Sequence, residues 1–361
     1  MRLSTLTLIG ALSLAANPAP VSAQAVAPAS VPAFDGEALL EEALSKVRPI
    51  ALHTAEVDWA ALETDLRPRA QAARDTVDML PVYRDLLAAL HDGHSFVQAD
   101  PVDLAAYRER SAVDLEAGRA RKRWTSAFVG REEVAGETAT LSNGRRYRLV
   151  VVPAMAGGGA RASAKAAALF EATVTDIDTT CGHVIDLRGN SGGNVWPMLL
   201  GLSPLLGDGL YGWSRDASGK AAPYARITEG QAVVLEGQYA DMTMARVDGW
   251  RAIDAADRPT AVLFDDGTAS SGEGVAVAFV GRPKTRSFGQ TTFGVASSNE
   301  GLLLADGVNL VVTTALMRDR LGEVHPQGVA PDQWVSTSED ARTAAEHWLS
   351  EQAACGEAEP R

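Results

Sequence analysis

Apolar positions recur with helical spacing from Asp35 to His91. Leu40, Ala43, Leu44 and Val47 share one face, and Tyr83, Leu86, Leu87 and Leu90 repeat the i, i+3, i+4, i+7 pattern of a buried stripe. Pro49, Pro68 and Pro81 stand where new helices would begin. The pattern predicts a small helical bundle over residues 34–98. Gly93 occupies a helix C-terminal position, which leaves His94 just past the last helix and available for chemistry.

A connecting segment, 99–145, holds a polar, arginine-rich stretch from Tyr107 to Arg123. Beyond it the period alternates. Arg146 to Val152, His183 to Leu187, Thr260 to Phe264 and Val308 to Ala315 read as strands, while Ser163 to Ile177, Val195 to Leu206 and Gly272 to Val280 read as helices. Residues 208–258 are glycine-rich and resist assignment. Strands alternating with helices imply a largely parallel sheet covered on both faces, in a core over 146–361. Ser336-Thr337-Ser338-Glu339 forms a capping box before a last helix carrying Ala341, Ala344, Ala345, Trp348 and Leu349. His347 on that helix reads as a surface or packing residue.

The N-terminus has the form of an export signal: Arg2, an apolar run from Leu3 to Ala16, and a small-residue cleavage site Val21-Ser22-Ala23. The run is too short to span a bilayer, and no cysteine follows it to carry a lipid, so no stable membrane anchor is expected. Residues 24–33 are small and proline-rich, as a linker would be. A periplasmic or secreted protein is expected, cleaved after Ala23.

The 361 residues are 46% hydrophobic and 22% charged, ordinary globular content. The formal charge is −13, and becomes −14 once Arg2 is removed. With no basic cluster, this balance argues against nucleic acid or anionic membranes as partners. Cys181 and Cys355 are compatible with a disulfide or with two separate thiols. Two distant cysteines make no zinc site and the histidines show no ligand spacing, so neither metal nor cofactor is called for.

Candidate chemistry concentrates in two turns. Asp265-Asp266-Gly267-Thr268-Ala269-Ser270-Ser271-Gly272-Glu273 joins an apolar strand to a helix. A serine there points its hydroxyl outward while the free N–H groups of the helix face whatever attaches. The same residues also suit a plain helix cap. A second glycine-rich turn, Arg188-Gly189-Asn190-Ser191-Gly192-Gly193-Asn194, follows the strand at His183. Its spacing is not G-x-G-x-x-G and no P-loop lysine follows, so an oxyanion hole fits better than a phosphate site. Asp186 and Arg188 read as an ion pair shaping that loop.

Ile185 to Gly193, then Thr268-Ala269-Ser270-Ser271-Gly272-Glu273, then Thr291-Thr292-Phe293-Gly294, then Gly328-Val329-Ala330-Pro331-Asp332 resemble the ordered signature of the C-terminal processing (tail-specific) serine peptidases. Leu90-His91-Asp92-Gly93-His94-Ser95 is similar to the segment that follows their N-terminal helices. The resemblance implies a ClpP/crotonase-like α/β core, mostly parallel in its sheet, preceded by a small helical bundle. It implies Ser270 as nucleophile, with an oxyanion hole from the N–H of Ser271 and one from Gly192 or Gly193. On local grounds Ser271 remains an alternative nucleophile.

The departures are informative. The Ser/Lys branch carries Phe-Gly-Lys where this chain has Phe293-Gly294-Val295, and Lys284 in a polar turn is the only lysine after Ser270. The chain is closer to the branch resembling the tricorn core, whose base is a histidine in the segment where His94 falls. That branch has a serine before the histidine, here Gly93, and a glutamate where His325 stands, with Glu323 two residues earlier. Glu323 and Glu273 are candidate orienting acids, and His325 is a second candidate base. Ser95 to Arg146 is too short for the PDZ module of many relatives.

The reading is an exported serine peptidase acting on peptides or unfolded protein tails. The alternatives are a peptide-binding protein on a peptidase scaffold with weak or no turnover, and an esterase for small acyl substrates.

Overall fold

The computed structural model describes residues 34–110, 126–235, 239–336 and 338–356. The expected signal peptide and linker lie outside these residues, as do Thr337 of the expected capping box and part of the connecting segment.

Three helices open the fold: α1 (Gly36–Val47), α2 (Trp59–Gln71) and α3 (Thr76–Ala88). Each starts at an aspartate whose carboxylate accepts an N–H of the first turn: Asp35 from Ala38, Asp58 from Ala61 and Asp75 from Asp78. Pro68 and Pro81 lie inside α2 and α3, not at helix starts as the sequence suggested. Each forgoes one backbone hydrogen bond, and the packing of Leu66, Ala70, Leu80 and Tyr83 carries the helix through. The last helix also stops sooner than expected. The chain turns at His91 (φ +52°) before Gly93 (φ +69°), so His94 lies in the loop leading to β1 (Phe96–Gln98), which α4 (Pro101–Arg110) follows.

A six-stranded sheet forms the centre, in the order β13-β10-β9-β4-β3-β2. Its members are β2 (Ala135–Thr140), β3 (Arg146–Val151), β4 (His183–Asp186), β9 (Thr260–Phe264), β10 (Thr285–Gly289) and β13 (Gln333–Trp334). All neighbours are parallel except β2 on β3. Alternate residues serve opposite faces, as the pleat requires. Ile185, Val262 and Phe264 pack with Leu169 and Phe170 of α5 (Gly159–Val174), with Met198 of α6 (Val195–Gly201) and with Val275 of α8 (Ser271–Phe279). Val184, Ala261 and Leu263 pack with Ala341, Ala345 and Leu349 of α9 (Ser338–Ser350). Burial on both faces is why these strands read as unbroken apolar runs. Cys181 and Cys355 are joined in a disulfide on the α9 side.

The unassigned residues 208–258 hold, after the short α7 (Ser203–Leu206), the strands β5 (Gly209–Asp216), β6 (Ala221–Thr228), β7 (Gln231–Val234) and β8 (Thr243–Arg246). They belong to a second, antiparallel sheet in the order β1-β12-β5-β6-β7-β8, in which β11 (Ser297–Leu303) also pairs with β12 (Asn309–Arg318). Partial burial along β5 and β6 blurs their alternation, which hides them from a pattern reading. The helical bundle is fastened to this sheet: Leu52 N–H donates to Thr313 O at 2.9 Å, Lys46 Nζ to Leu303 O at 2.7 Å and Tyr83 Oη to Asp306 at 2.9 Å. Asp35–Arg361 form one compact unit.

Candidate active site

Ser270 ends the turn after β9 and is the N-cap of α8, with φ +52° and ψ −119°. A non-glycine residue in that region is strained and persists only where its surroundings hold it. Glu273 supplies the hold. Its fully buried carboxylate accepts the Ser270 N–H (2.9 Å), the Thr292 hydroxyl (2.6 Å) and the N–H groups of Gly294 (2.8 Å) and Val295 (2.9 Å). Burial raises its pKa, against the lowering effect of these four hydrogen bonds.

The glycine loop after β4 lies against this turn. A Cβ on Gly192 would stand 2.7 Å from Ser270 Cβ and 3.1 Å from Ser271 N, so only glycine allows the approach. Ser271 Oγ donates to Gly193 O at 2.9 Å and locks the two loops together. Asn190, 2% exposed, accepts the Gly192 N–H at 3.0 Å and donates to the carbonyls of Val152 and Pro153. The Gly192 N–H is therefore occupied. Among the described residues, the N–H groups of Ser271 and Gly193 have no hydrogen-bond partner. Ser271 is the first residue of α8, where N–H groups lack intrahelical acceptors and the helix dipole favours negative charge.

Two aspartates shape these turns. Asp265 accepts N–H groups from Gly189 (2.9 Å) and Gly267 (3.1 Å), one from each turn, and the Ser126 hydroxyl. Asp186 is paired by Arg188 through two contacts of 2.8 Å and by Arg131 at 2.9 Å. Burial pushes the Asp186 carboxyl up, but the two guanidiniums outweigh it and hold it below the ordinary range.

His94 is placed by Asp92, which accepts its backbone N–H at 2.9 Å. Its Nδ1 lies 2.7 Å from Ser297 Oγ, at the start of β11. His325 Nε2 lies 2.9 Å from Asp319 Oδ2 instead. Glu323 is exposed, and it is its backbone N–H and C=O that bind Asp319. Of the residues singled out in the sequence, Ser270, Ser271, Gly192 and Gly193 are brought into mutual contact. Among the described residues, no hydrogen bond joins the Glu323 carboxylate to His94 or His325.

Sequence reasoning missed Ser297, Asp319, Asn190 and Asp265. Asp265 repeats the arrangement of Asp186, an aspartate at a strand end before a glycine turn, and was open to detection. Ser297 lies 203 residues from His94 and carries no local signal. A cavity of about 380 Å³ lies beside α8, lined by Gly274, Val277 and Ala278 with Tyr211, Trp213 and Asp319. Gly274 is one helical turn beyond Ser270. Among the described residues no group of three His, Cys, Asp or Glu could hold a metal ion, and no helix is long and apolar enough to cross a membrane.

Residues 149–335 match the profile of peptidase family S41. The chain is 26% identical over 311 residues to a nisin-resistance protein of Lactococcus lactis subsp. lactis, covering 86% of each. In structure it is similar to a lipoprotein from Streptococcus agalactiae, with a TM-score of 0.63, 19% identity, and 90% of this chain and 99% of that one covered. It is also similar to the photosystem II D1 C-terminal processing protease, with a TM-score of 0.56, 19% identity and coverage of 89% and 99%.

Proposed function

The chain belongs to peptidase family S41 and is a serine-type peptidase, and on that premise we propose that it cleaves peptides or unfolded protein tails through an acyl-enzyme on Ser270, with His94 as general base. Ser270 Oγ attacks the scissile carbonyl carbon while the imidazole takes its proton. The tetrahedral oxyanion is held by the N–H groups of Ser271 and Gly193. The C–N bond then breaks, with the proton passing from the imidazolium to the leaving amine. Water, deprotonated by the same imidazole, releases the acyl group. One observation carries the reading: a strained serine at a helix start, beside two N–H donors that no described residue uses.

Export is supported by the pattern of residues 1–23 and by the Cys181–Cys355 disulfide, which belongs in an oxidising compartment. The name of the lactococcal relative makes nisin a substrate to try first, and a formal charge of −14 after cleavage would favour cationic peptides. The cavity beside α8 is the candidate seat for a substrate side chain. His325, whose Nε2 lies beside Asp319, is the second candidate base, and Glu323 and Glu273 are the candidate orienting acids.

The test is peptide hydrolysis and labelling by a serine-reactive phosphonate in wild type, Ser270→Ala, His94→Gln, His325→Gln and Glu323→Gln. Ser270→Ala should abolish both signals, and His94→Gln should cost about 10²–10⁴ in turnover. Turnover retained in His94→Gln but lost in His325→Gln would transfer the role of base. The peptide-binding alternative draws on the missing lysine at Val295. It predicts binding without hydrolysis, unchanged by Ser270→Ala.

A further inference from the structure

One ring nitrogen of His94 meets a serine hydroxyl, and the partner of that nitrogen decides the tautomer of a histidine base. Ser297 is 6% exposed and its Oγ lies 2.7 Å from His94 Nδ1. Ser297 is itself anchored, since its N–H donates to Val295 O at 2.7 Å and its Oγ lies 3.5 Å from the same carbonyl. Asn299, two residues along β11 and so on the same side of the strand, donates from Nδ2 to the His94 carbonyl at 3.3 Å. The pairing of β11 with β12 shifts register between Ser298 and Asn299. The extra residue, Thr314, is on β12, so the alternation of β11 is kept. One strand therefore holds His94 at both its backbone and its ring.

We propose that Ser297 is the positioning residue of the histidine base: its Oγ accepts the Nδ1–H of His94, fixing the tautomer in which Nε2 is the unprotonated nitrogen that takes the Ser270 proton. The Ser297 proton has Val295 O, 3.5 Å away, as an alternative acceptor to turn toward, which leaves an Oγ lone pair for the ring. Val295 thereby serves both partners. Its carbonyl supports Ser297, and its N–H donates to Glu273, which grips Ser270. The residue at the position of the family's lysine becomes a backbone bridge between base and nucleophile turn. A hydroxyl at this distance fixes the orientation of the ring through a directed hydrogen bond.

The proposal rests on His94 being the base, and two readouts separate its failure from the failure of that reading. Nitrogen-15 spectra of histidine-labelled protein at about pH 8, where imidazole is neutral, report the tautomer of His94 without any substrate, with His94→Gln assigning the signal. Wild type should show the Nδ1–H form, Ser297→Ala a mixture, and Ser297→Thr the wild-type form again. In peptide hydrolysis, Ser297→Ala should lower kcat on the order of tenfold with KM unchanged, within the roughly 10²–10⁴ that a general base contributes, and Ser297→Thr should restore it. An Nε2–H tautomer in wild type, or a tautomer and kcat both unchanged in Ser297→Ala, overturns the proposal. If His94→Gln remains fully active the assignment of the base fails, and the spectra still decide whether Ser297 orients the ring.

Discussion

The carboxylate of Glu273 accepts the N–H of Ser270 at 2.9 Å from one turn further along α8. The same oxygen takes the N–H of Val295, and the other takes Thr292 and Gly294. One buried group thus ties the Ser270 turn to the segment that leads to β11. Replacing it by alanine leaves four donors without their acceptor, each worth about 1–3 kcal/mol when buried and unpaired. Glu273→Ala should lower stability by about 3–5 kcal/mol in urea unfolding and abolish hydrolysis. Glu273→Gln, which keeps one acceptor oxygen, should lose less on both counts. A Glu273→Ala protein of wild-type stability would show that the turn is held by something else.

Ser271 is 7% exposed and its hydroxyl donates to Gly193 O, so it clasps the two loops together, and the proposed mechanism leaves the nucleophile's role to Ser270. Ser271→Ala should retain phosphonate labelling at Ser270 and lose about 1 kcal/mol of stability. Turnover should fall several-fold, because the two oxyanion donors lose their mutual register. Loss of labelling in Ser271→Ala with labelling intact in Ser270→Ala would reverse the two roles.

His183 is fully buried, donates from Nε2 to Thr173 O at 3.1 Å, and has its pKa pushed down to about 4, first by burial and then by Arg258, Arg282 and Arg148. A depressed folded pKa means that the unfolded chain takes up the proton first. Its contribution to stability is complete above the unfolded value of 6.5 and is lost as pH falls toward 4. The full effect is roughly 3 kcal/mol. Unfolding free energy measured from neutral to acid pH should drop across that window in wild type, and the drop should be shallower in His183→Gln. Equal slopes in the two proteins would remove His183 as the cause.

The disulfide joins residues 174 positions apart and pins the chain after α9 against the buried face of the central sheet. Restricting so long a loop in the unfolded chain is worth about 2–4 kcal/mol. A Cys181→Ala/Cys355→Ala double variant, or reduction of the wild type, should lower the thermal midpoint by several degrees. Hydrolysis at room temperature should survive, since the disulfide lies on the face of the sheet opposite to α8. Loss of activity without loss of fold would instead link α9 to the site.

The two turns that build the site were legible because their causes are local. An apolar run of strand length, then glycines and small polar residues, then a helical period can be met only by a strand, a tight turn and a helix. The ion pair of Asp186 and Arg188 was legible for the same reason, two residues apart on one loop. The helix starts lie at Asp58 and Asp75 and not at the prolines, because the aspartate caps and the packed apolar stripes decide them. The antiparallel sheet from residue 209 onward escaped because its strands are only partly buried, and a strand that faces both core and solvent irregularly has no period to read.

The sequence by itself determined the central strands, the glycine turns, the place of Ser270 at a helix start and the absence of a lysine at Val295, since each depends on residues within a few positions of one another. Tertiary structure alone decided which N–H groups at the glycine loop stay without a partner among the described residues, that Cys181 meets Cys355, and that the His94 ring meets Ser297. Those pairings are made by the stacking of sheets and helices, which brings together residues as far apart as 203 positions, and no local spacing encodes them.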